Sequence, residues 1–259
     1  MTAIGVFHSG VGGLTVVAAL KRHLPNEAIL FLGDTARLPY GTKSPATVIH
    51  YTRRNIEFLR ERGVKAIVVA CNTASALALD ALDIELPIWG VVEPGARRAA
   101  AIAERHIAVL ATESTVRSAA YPRAIRNIRS DLEITSVACP LFVPLVEEGW
   151  QDDPITIDVA RRYLEPIADL EVDTMVLGCT HYPLLEPILR EVTGDRTRFV
   201  DSAQSTAEHV ASELARLDLS ATSPAGEDHL FVTDAAERFG NIAARILEQS
   251  SVRLEHVDF

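Results

Sequence analysis

The segment AIVVACNTAS, residues 66–75, decides the fold, and the segment TMVLGCTHYP, residues 174–183, repeats its pattern. In each, an apolar run is followed by a cysteine, by two polar residues and then by a helical pattern. An apolar run without apolar–polar alternation is typical of a strand in a parallel sheet that is covered on both faces. The repeat favours two related halves with Cys71 and Cys179 in equivalent positions. If the halves face each other, the two cysteines also face each other.

Apolar runs and helical patterns alternate along the rest of the chain in the same way. Strands are predicted at Ile4–Phe7, Ala28–Leu32, Ala66–Ala70, Ile88–Val92, Ile107–Ala111, Ile134–Val137, Thr174–Leu177, Arg198–Val200 and Leu230–Val232. Helices are predicted at Leu14–Leu24, Thr47–Arg62, Ile155–Ala168, Pro183–Val192 and Thr206–Arg216. The polar stretch Ser220–Asp228 is predicted to be a loop. Together these elements predict an α/β fold with mainly parallel sheets flanked by helices.

Composition and charge exclude several classes of protein. The chain has 259 residues and a net charge of −10, which argues against a general nucleic-acid binder with a basic surface. No apolar run approaches the roughly 18 residues that span a bilayer, so no membrane partner is expected. The N-terminal residues read as a first strand rather than a signal peptide, which predicts a cytoplasmic protein. Three cysteines without a C-x-x-C pair predict neither a disulfide framework nor a zinc site.

The cysteines at the strand ends are the first candidates for chemistry. Ligands of open α/β sheets bind outside the carboxyl ends of the strands, where Cys71 and Cys179 are expected. A helix that begins there favours the thiolate, so we expect lowered thiol pKa values at both positions. A single such cysteine is more often a small buried hydrophobe, but two in matched contexts favour a functional role. Cys139, in Val137–Pro140, has no such context and is expected to pack at a strand end.

Two further loops follow predicted strands. The turn SGVGG, residues 9–13, is not the G-x-G-x-x-G dinucleotide fingerprint, because its third glycine comes too early. Its backbone N–H groups can still bind an anion such as a carboxylate, although a tight turn alone would account for it. The segment GDTARLPYG, residues 33–41, combines turn residues with an acid, a guanidinium and a phenol at a strand end, where loops often carry function.

Two more side chains are candidates for acid–base work. His181 lies two residues after Cys179 and can assist that thiol as an acid or base. A buried histidine bonded to the backbone is an equally good interpretation of the sequence. For Glu147, the residues alone favour a surface charge at the end of a helix.

Six segments together resemble the glutamate racemases of the aspartate/glutamate racemase superfamily, which are cofactor-independent. These segments run in the family's order and their combination is specific. They are GVFHSGVGGL at 5–14, GDTARLPYG at 33–41, VACNTAS at 69–75, VEPGA at 92–96, ACPLFVPLVE at 138–147 and LGCTHYPLL at 177–185.

The resemblance implies two pseudo-symmetric α/β domains with the active site in the cleft between them. The first domain would combine residues 1–93 with 205–259, and the second would comprise residues 94–204. It also implies a two-base mechanism, in which one cysteine removes the Cα proton of glutamate and the other returns a proton on the opposite face. Neither a cofactor nor a metal is required, and the product D-glutamate serves peptidoglycan synthesis. A homodimer is the candidate assembly of this chain.

The site residues implied by the resemblance fall into two groups. The catalytic positions match Cys71 and Cys179, with His181, Glu147 and His8 as assisting groups. The substrate-binding positions match Ser9, Asp34, Pro39, Tyr40, Gly41, Asn72, Thr73, Thr115 and Thr180.

His8 is a departure from the family pattern, in which an aspartate follows the Val-Phe pair. A neutral His8 could accept a proton or a hydrogen bond, whereas a protonated His8 would stabilise the Cys71 thiolate and repel a substrate ammonium. The consequences left open are a racemase with altered pH dependence, a slow or biased enzyme, and a glutamate-binding variant with impaired catalysis. A relative acting on aspartate or a hydantoin is the other alternative.

Overall fold

The structure, a computed structural model, describes residues 3–247 and 253–259. Its strands, numbered in chain order, are β1 Ala3–His8, β2 Ala28–Gly33, β3 Ala66–Val69, β4 Ile88–Gly90, β5 His106–Ala111, β6 Glu133–Ala138, β7 Thr174–Gly178, β8 Arg198–Asp201, β9 His229–Val232 and β10 Leu254–His256. They form a six-stranded sheet in the order β10-β9-β2-β1-β3-β4 and a four-stranded sheet in the order β6-β5-β7-β8. All pairings in both sheets are parallel.

Helices flank both sheets. They are α1 Leu14–His23, α2 Pro45–Glu61, α3 Asn72–Ala78, α4 Val92–Ile102, α5 Glu113–Ser118, α6 Ala120–Ile128, α7 Phe142–Glu147, α8 Pro154–Leu164, α9 Glu186–Thr193, α10 Ser202–Arg216 and α11 Ala236–Leu247. Within the described part of the chain, no helix combines the length and apolar character needed to cross a membrane. The predicted α/β fold with parallel sheets is confirmed.

The central strands are buried on both faces, as their uninterrupted apolar sequences require. All six residues of β5 are buried, and so are all four of β3 and all five of β7. A strand that is covered on both sides has no solvent face, and this is why the sequence shows no alternation. Because the strands of each sheet are parallel, the loops that follow them lie together at the carboxyl edges of the sheets.

The predicted and observed bounds differ at many elements, and three of these differences have a clear physical cause. The strand predicted at Ile88–Val92 stops at Gly90, because Val92 begins α4 with Glu93 in its first turn, a favourable place for an acid. The helix predicted at Ile155–Ala168 ends at Leu164, and Pro166 lies in the tight turn that follows. The helix predicted at Pro183–Val192 is split into a turn at Tyr182–Leu185 and α9, and the second residue of each is a proline.

Candidate active site

A cavity of about 350 Å³ lies where the carboxyl ends of β1, β3 and β7 meet the loops after β2, β5 and β6. Its walls come from both sheets and carry hydroxyl, thiol, imidazole and carboxylate groups. The lining residues are His8, Ser9, Gly10, Leu38, Pro39, Tyr40, Gly41, Thr42, Cys71, Asn72, Thr73, Thr112, Glu113, Pro140, Val143, Pro144, Glu147, Cys179, Thr180 and His181. A larger cavity of about 520 Å³ beside α4 and α6 has no cysteine among its described lining residues.

Two cysteine sulfurs reach this cavity from opposite sheets. Cys71 follows β3 and its Sγ lies 3.8 Å from the hydroxyl of Ser9, whereas Cys179 follows β7 and its Sγ lies 3.7 Å from Nδ1 of His181. Both residues are buried, being 4% and 6% exposed. Cys139 lies outside the described lining, is fully buried after β6, and directs its thiol at the carbonyl of Val137. Each cavity cysteine therefore has its own polar neighbour.

The thiol of Cys71 has a raised pKa, in contrast to the expectation from its place before a helix. Burial raises the pKa, and hydrogen bonds from the Ala74 N–H and the Ser9 hydroxyl offset this effect only in part. The nearby sulfur of Cys179 raises it further. Desolvation of the charged form outweighs the start of α3. These effects favour the protonated thiol at Cys71.

His181 and Glu147 form an ion pair beside Cys179. His181 Nε2 lies 3.1 Å from Glu147 Oε1, and the other ring nitrogen faces the sulfur. Burial lowers the pKa of His181, but its hydrogen bonds with Cys179 and Glu147 outweigh burial and raise this pKa to about 9. Burial raises the pKa of Glu147, but His181 and Arg238 bring it below its ordinary value. The pair is therefore charged at neutral pH, and its cationic end touches the thiol.

His8 connects the end of β1 to the loop after β7. The N–H of Gly10 donates to Nδ1 of His8 at 2.8 Å, and Nε2 lies 2.9 Å from the hydroxyl of Thr180. Burial and the charge of His181 lower the pKa of His8 to about 3. His8 is therefore neutral under ordinary conditions, and the geometry disfavours a cationic His8 that stabilises a thiolate.

Hydroxyls and an amide from both halves complete the walls. The hydroxyl of Thr73 lies 3.0 Å from that of Thr112 and 3.4 Å from that of Thr115. The Asn72 carboxamide accepts a hydrogen bond from the Tyr121 hydroxyl at 2.8 Å, which fixes its orientation. Its Nδ2 is buried and has no partner among the described residues. These groups can present donors to a carboxylate in the cavity.

Tyr40 is held at the cavity wall by a buried carboxylate. Its hydroxyl donates to Asp34 at 2.5 Å and accepts from the Asn55 amide at 3.0 Å. Arg37 and Thr233 bind the other carboxylate oxygen of Asp34. Burial and then Asp34 raise the pKa of the Tyr40 hydroxyl, so it remains neutral.

Comparison with known proteins fits this geometry. A family model described as Asp/Glu/Hydantoin racemase matches residues 12–210. This chain belongs to that family of racemases. A glutamate racemase of Geobacter metallireducens is 49% identical over 249 residues, which are 95% of this chain and 92% of the relative. The resemblance to glutamate racemases is confirmed, and so is the assignment as an amino-acid racemase.

Solved structures of racemases share the arrangement. A glutamate racemase isoform of Bacillus anthracis matches with a TM-score of 0.96 and 36% identity, covering 100% of this chain and 98% of the other. The glutamate racemase of Francisella tularensis, solved with D-glutamate, matches with a TM-score of 0.93 and 35% identity, covering 99% and 97%. The two parallel sheets and flanking helices of this racemase therefore match those of its relatives.

Most of the residues expected at the racemase site from the sequence line the cavity. Asp34 and Thr115 are not among the described lining residues, and each touches a group that is, Tyr40 and Thr73 respectively. Glu147 is the last residue of α7, as expected, but it pairs with His181 instead of facing only solvent.

Several lining residues escaped the sequence interpretation. Those with polar side chains are Thr42, Thr112 and Glu113, and those with apolar ones include Leu38 and Val143. For Thr112 and Glu113 a signal was present, because they directly follow the buried strand β5 as Cys71 and Cys179 follow theirs. The apolar residues carried no comparable signal.

Gly12 is required by the close approach of the racemase backbone to His181. A Cβ at this position would lie 2.4 Å from Cε1 of His181 and 2.7 Å from the hydroxyl of Thr180. Gly12→Ala should therefore displace the imidazole and lower kcat about tenfold or more, which steady-state racemisation assays would measure. Gly240→Ala in α11, where a Cβ meets only Leu254 at 3.7 Å, is the control and should keep its activity. Equal rates for both variants would contradict the assigned role of Gly12.

Proposed function

We propose that this racemase interconverts L- and D-glutamate with Cys71 and Cys179 as its two acid–base groups. The observation that carries the proposal is that two thiols from different sheets reach one cavity. The relatives that are named glutamate racemase, one of them solved with D-glutamate, support glutamate as the substrate. The D-glutamate formed would supply peptidoglycan synthesis, a role that rests on the family alone.

The proposed reaction moves one proton off Cα and another onto it. The thiolate of one cysteine takes the Cα proton, and the electron pair of the broken C–H bond stays on Cα and spreads into the carboxylate. The thiol of the other cysteine then gives its proton to the opposite face. The product is the enantiomer, and the thiol and thiolate have exchanged places. General acid–base groups placed in this way accelerate proton transfer by about 10²–10⁴-fold each.

Stabilisation of the carbanion would come from neutral donors and from His181. Among the described residues that line the cavity there is no lysine or arginine. The unpartnered Nδ2 of Asn72 and the hydroxyls of Ser9, Thr73 and Thr180 are the donors available to the carboxylates. Donors that are already oriented before the reaction cost no reorganisation when charge develops.

The candidate residues other than His8 receive the following proposed roles in this scheme. The Ser9 hydroxyl supports Cys71, and the pair of His181 and Glu147 supports Cys179. The substrate contacts assigned are Ser9, Pro39, Tyr40, Gly41, Asn72, Thr73 and Thr180, while Asp34 and Thr115 position Tyr40 and Thr73 from behind.

Incubation with L-glutamate in deuterated water tests the function. We expect the Cα proton to disappear from the NMR spectrum while the optical rotation decays to zero, because each turnover replaces that proton with one from solvent. Binding of glutamate without exchange would support the impaired variant instead. If aspartate or a hydantoin exchanged the proton on its stereogenic carbon and glutamate did not, the alternative substrates would be favoured.

The remaining features of the family are also proposals for this chain. We assign residues 1–93 and 205–259 to one domain and 94–204 to the other. In support, Ala207, Val210 and Leu214 of α10 share a buried cluster with α1 and the six-stranded sheet. A homodimer in the cytoplasm is proposed from the sequence and the family resemblance.

A further inference from the structure

The hydrogen bonds of His8 fix which of its ring nitrogens carries the proton. Because the Gly10 N–H donates to Nδ1, that nitrogen presents a lone pair and holds no hydrogen in the neutral ring. The single ring proton is then on Nε2, which lies 2.9 Å from the Thr180 hydroxyl oxygen. His8 is therefore the donor in this contact, and Thr180 is the acceptor.

The hydroxyl proton of Thr180 is consequently free to point elsewhere. Thr180 is 1% exposed, lines the cavity and follows Cys179 directly. The hydroxyl of Thr15 shares its proton between the Thr180 carbonyl at 3.0 Å and the Gly12 carbonyl at 2.9 Å, which ties the backbone of Thr180 to the turn that follows β1. A buried hydroxyl proton needs an acceptor, and a ligand in the cavity can supply one.

We propose that His8 sets the polarity of the Thr180 hydroxyl, so that this hydroxyl donates to a carboxylate oxygen of the substrate. Like Nδ2 of Asn72, this hydroxyl is then a neutral donor in a cavity whose described lining has no lysine or arginine. His8 is thus a positioning residue that acts through Thr180. The inference rests on the proposed function for the identity of the substrate.

An acidic side chain at position 8 would reverse this polarity. An ionised carboxylate only accepts hydrogen bonds, so Thr180 would have to donate to it and would present only lone pairs to a ligand. The hydroxyl would then suit an ammonium group rather than a carboxylate. The residue at position 8 therefore determines which substrate group Thr180 can bind.

A thermodynamic cycle with glutarate tests the inference. Glutarate carries both carboxylates of glutamate and no ammonium group, so its affinity reports acceptor binding alone. Calorimetry on the full chain would compare the parental protein with His8→Asn, Thr180→Val and the double variant. His8→Asn adds no charge, and its shorter side chain can still accept from Gly10 but does not reach Thr180.

We expect Thr180→Val to weaken glutarate binding about tenfold, because a hydrogen bond to a charged group is lost. His8→Asn should weaken it about threefold in the parental background and not at all in the Thr180→Val background. Equal effects of His8→Asn in both backgrounds, or no binding of glutarate to the parental protein, would overturn the inference.

Two further results separate this inference from the proposed function. In the unmodified protein, ¹⁵N NMR should show His8 neutral with its proton on Nε2 between about pH 5 and 8, and a proton on Nδ1 would overturn the inference without any variant. His8→Asp should weaken glutarate binding about tenfold or more, while glutamate loses less. If the protein exchanges the Cα proton of glutamate but the effects of His8→Asn and Thr180→Val on glutarate affinity are additive, the proposed function holds and the role of His8 does not. If those effects are coupled but no Cα exchange occurs, the role of His8 holds and the proposed function does not.

Discussion

Replacing either cavity cysteine by serine is expected to lower the rate of glutamate racemisation by about a thousandfold or more. A serine hydroxyl is much less acidic than a thiol, so it cannot exchange protons with Cα at the same rate. Because each sulfur serves one face of the substrate, Cys71→Ser and Cys179→Ser should each block both directions. Polarimetry with L- and with D-glutamate would measure the loss.

Cys139→Ser is the matched control, since it makes the same exchange outside the cavity. Its thiol donates to the Val137 carbonyl, which a serine hydroxyl can also do, and the neighbouring Tyr182 hydroxyl binds the Cys139 backbone carbonyl, which serine retains. Activity should therefore stay within about threefold of the parental value. Folded Cys71→Ser and Cys179→Ser proteins with near-parental rates would refute the two-thiol mechanism.

Removing the cation next to Cys179 is expected to lower kcat about a hundredfold. His181→Asn keeps a polar side chain but loses the charge that faces the sulfur at 3.7 Å. In the parental enzyme the pKa of His181 is raised to about 9, so activity should decline as the pH rises through this value. Glu147→Gln removes the carboxylate that helps to raise the pKa, and the alkaline decline of kcat should move to lower pH.

Glu148→Gln provides the control for that pH profile. Glu148 is the neighbour of Glu147, but it is exposed and pairs with Arg238 at 2.7 Å on the surface. Its removal should leave the alkaline decline where it was. An unchanged profile in Glu147→Gln as well would show that the ion pair does not control the pH dependence.

The same pair also makes stability depend on pH. The pKa of His181 rises from 6.5 in the ordinary state to about 9 in the fold, so its stabilising effect is complete below pH 6.5 and is lost as the pH rises through about 9. The pKa of Glu147 is lowered, so its contribution is lost as the pH falls through the folded-state value. Thermal unfolding of the parental protein and Glu147→Gln should converge above pH 9.

Local patterns predicted nine of the ten described strands and missed β10, whereas most of the candidate site residues came from the family resemblance. Strands β3 and β7 are short and apolar, and a cysteine lies one or two positions after the last residue of each. A short stretch of sequence is therefore enough to predict both the buried strand and the ligand-facing residue at its end. The helix of residues 72–78 was expected to lower the pKa of Cys71, yet burial among residues such as Phe7 and Tyr40 raises it. Such burial depends on residues far away in the chain, which no local pattern contains.

The roles of Asp34 and Glu147 show the same limit. Both are acids in segments that the family resemblance singles out, but only the folded structure separates them. Asp34 lies behind Tyr40, fully buried, whereas Glu147 reaches His181 across 34 positions of sequence. The neutral state of His8 likewise depends on burial and on the charge of His181, which lies far away in the sequence.

Hydrogen bonds that join the two halves across the cleft limit how a ligand can enter and leave. Ser114 donates to the Gly41 carbonyl at 2.6 Å, Thr15 to the Thr180 carbonyl and Tyr121 to Asn72. Any widening of the passage between the halves must break several of these bonds together and reform them afterwards. We therefore expect the frequency of that opening to limit the number of molecules converted per second, however fast the protons move.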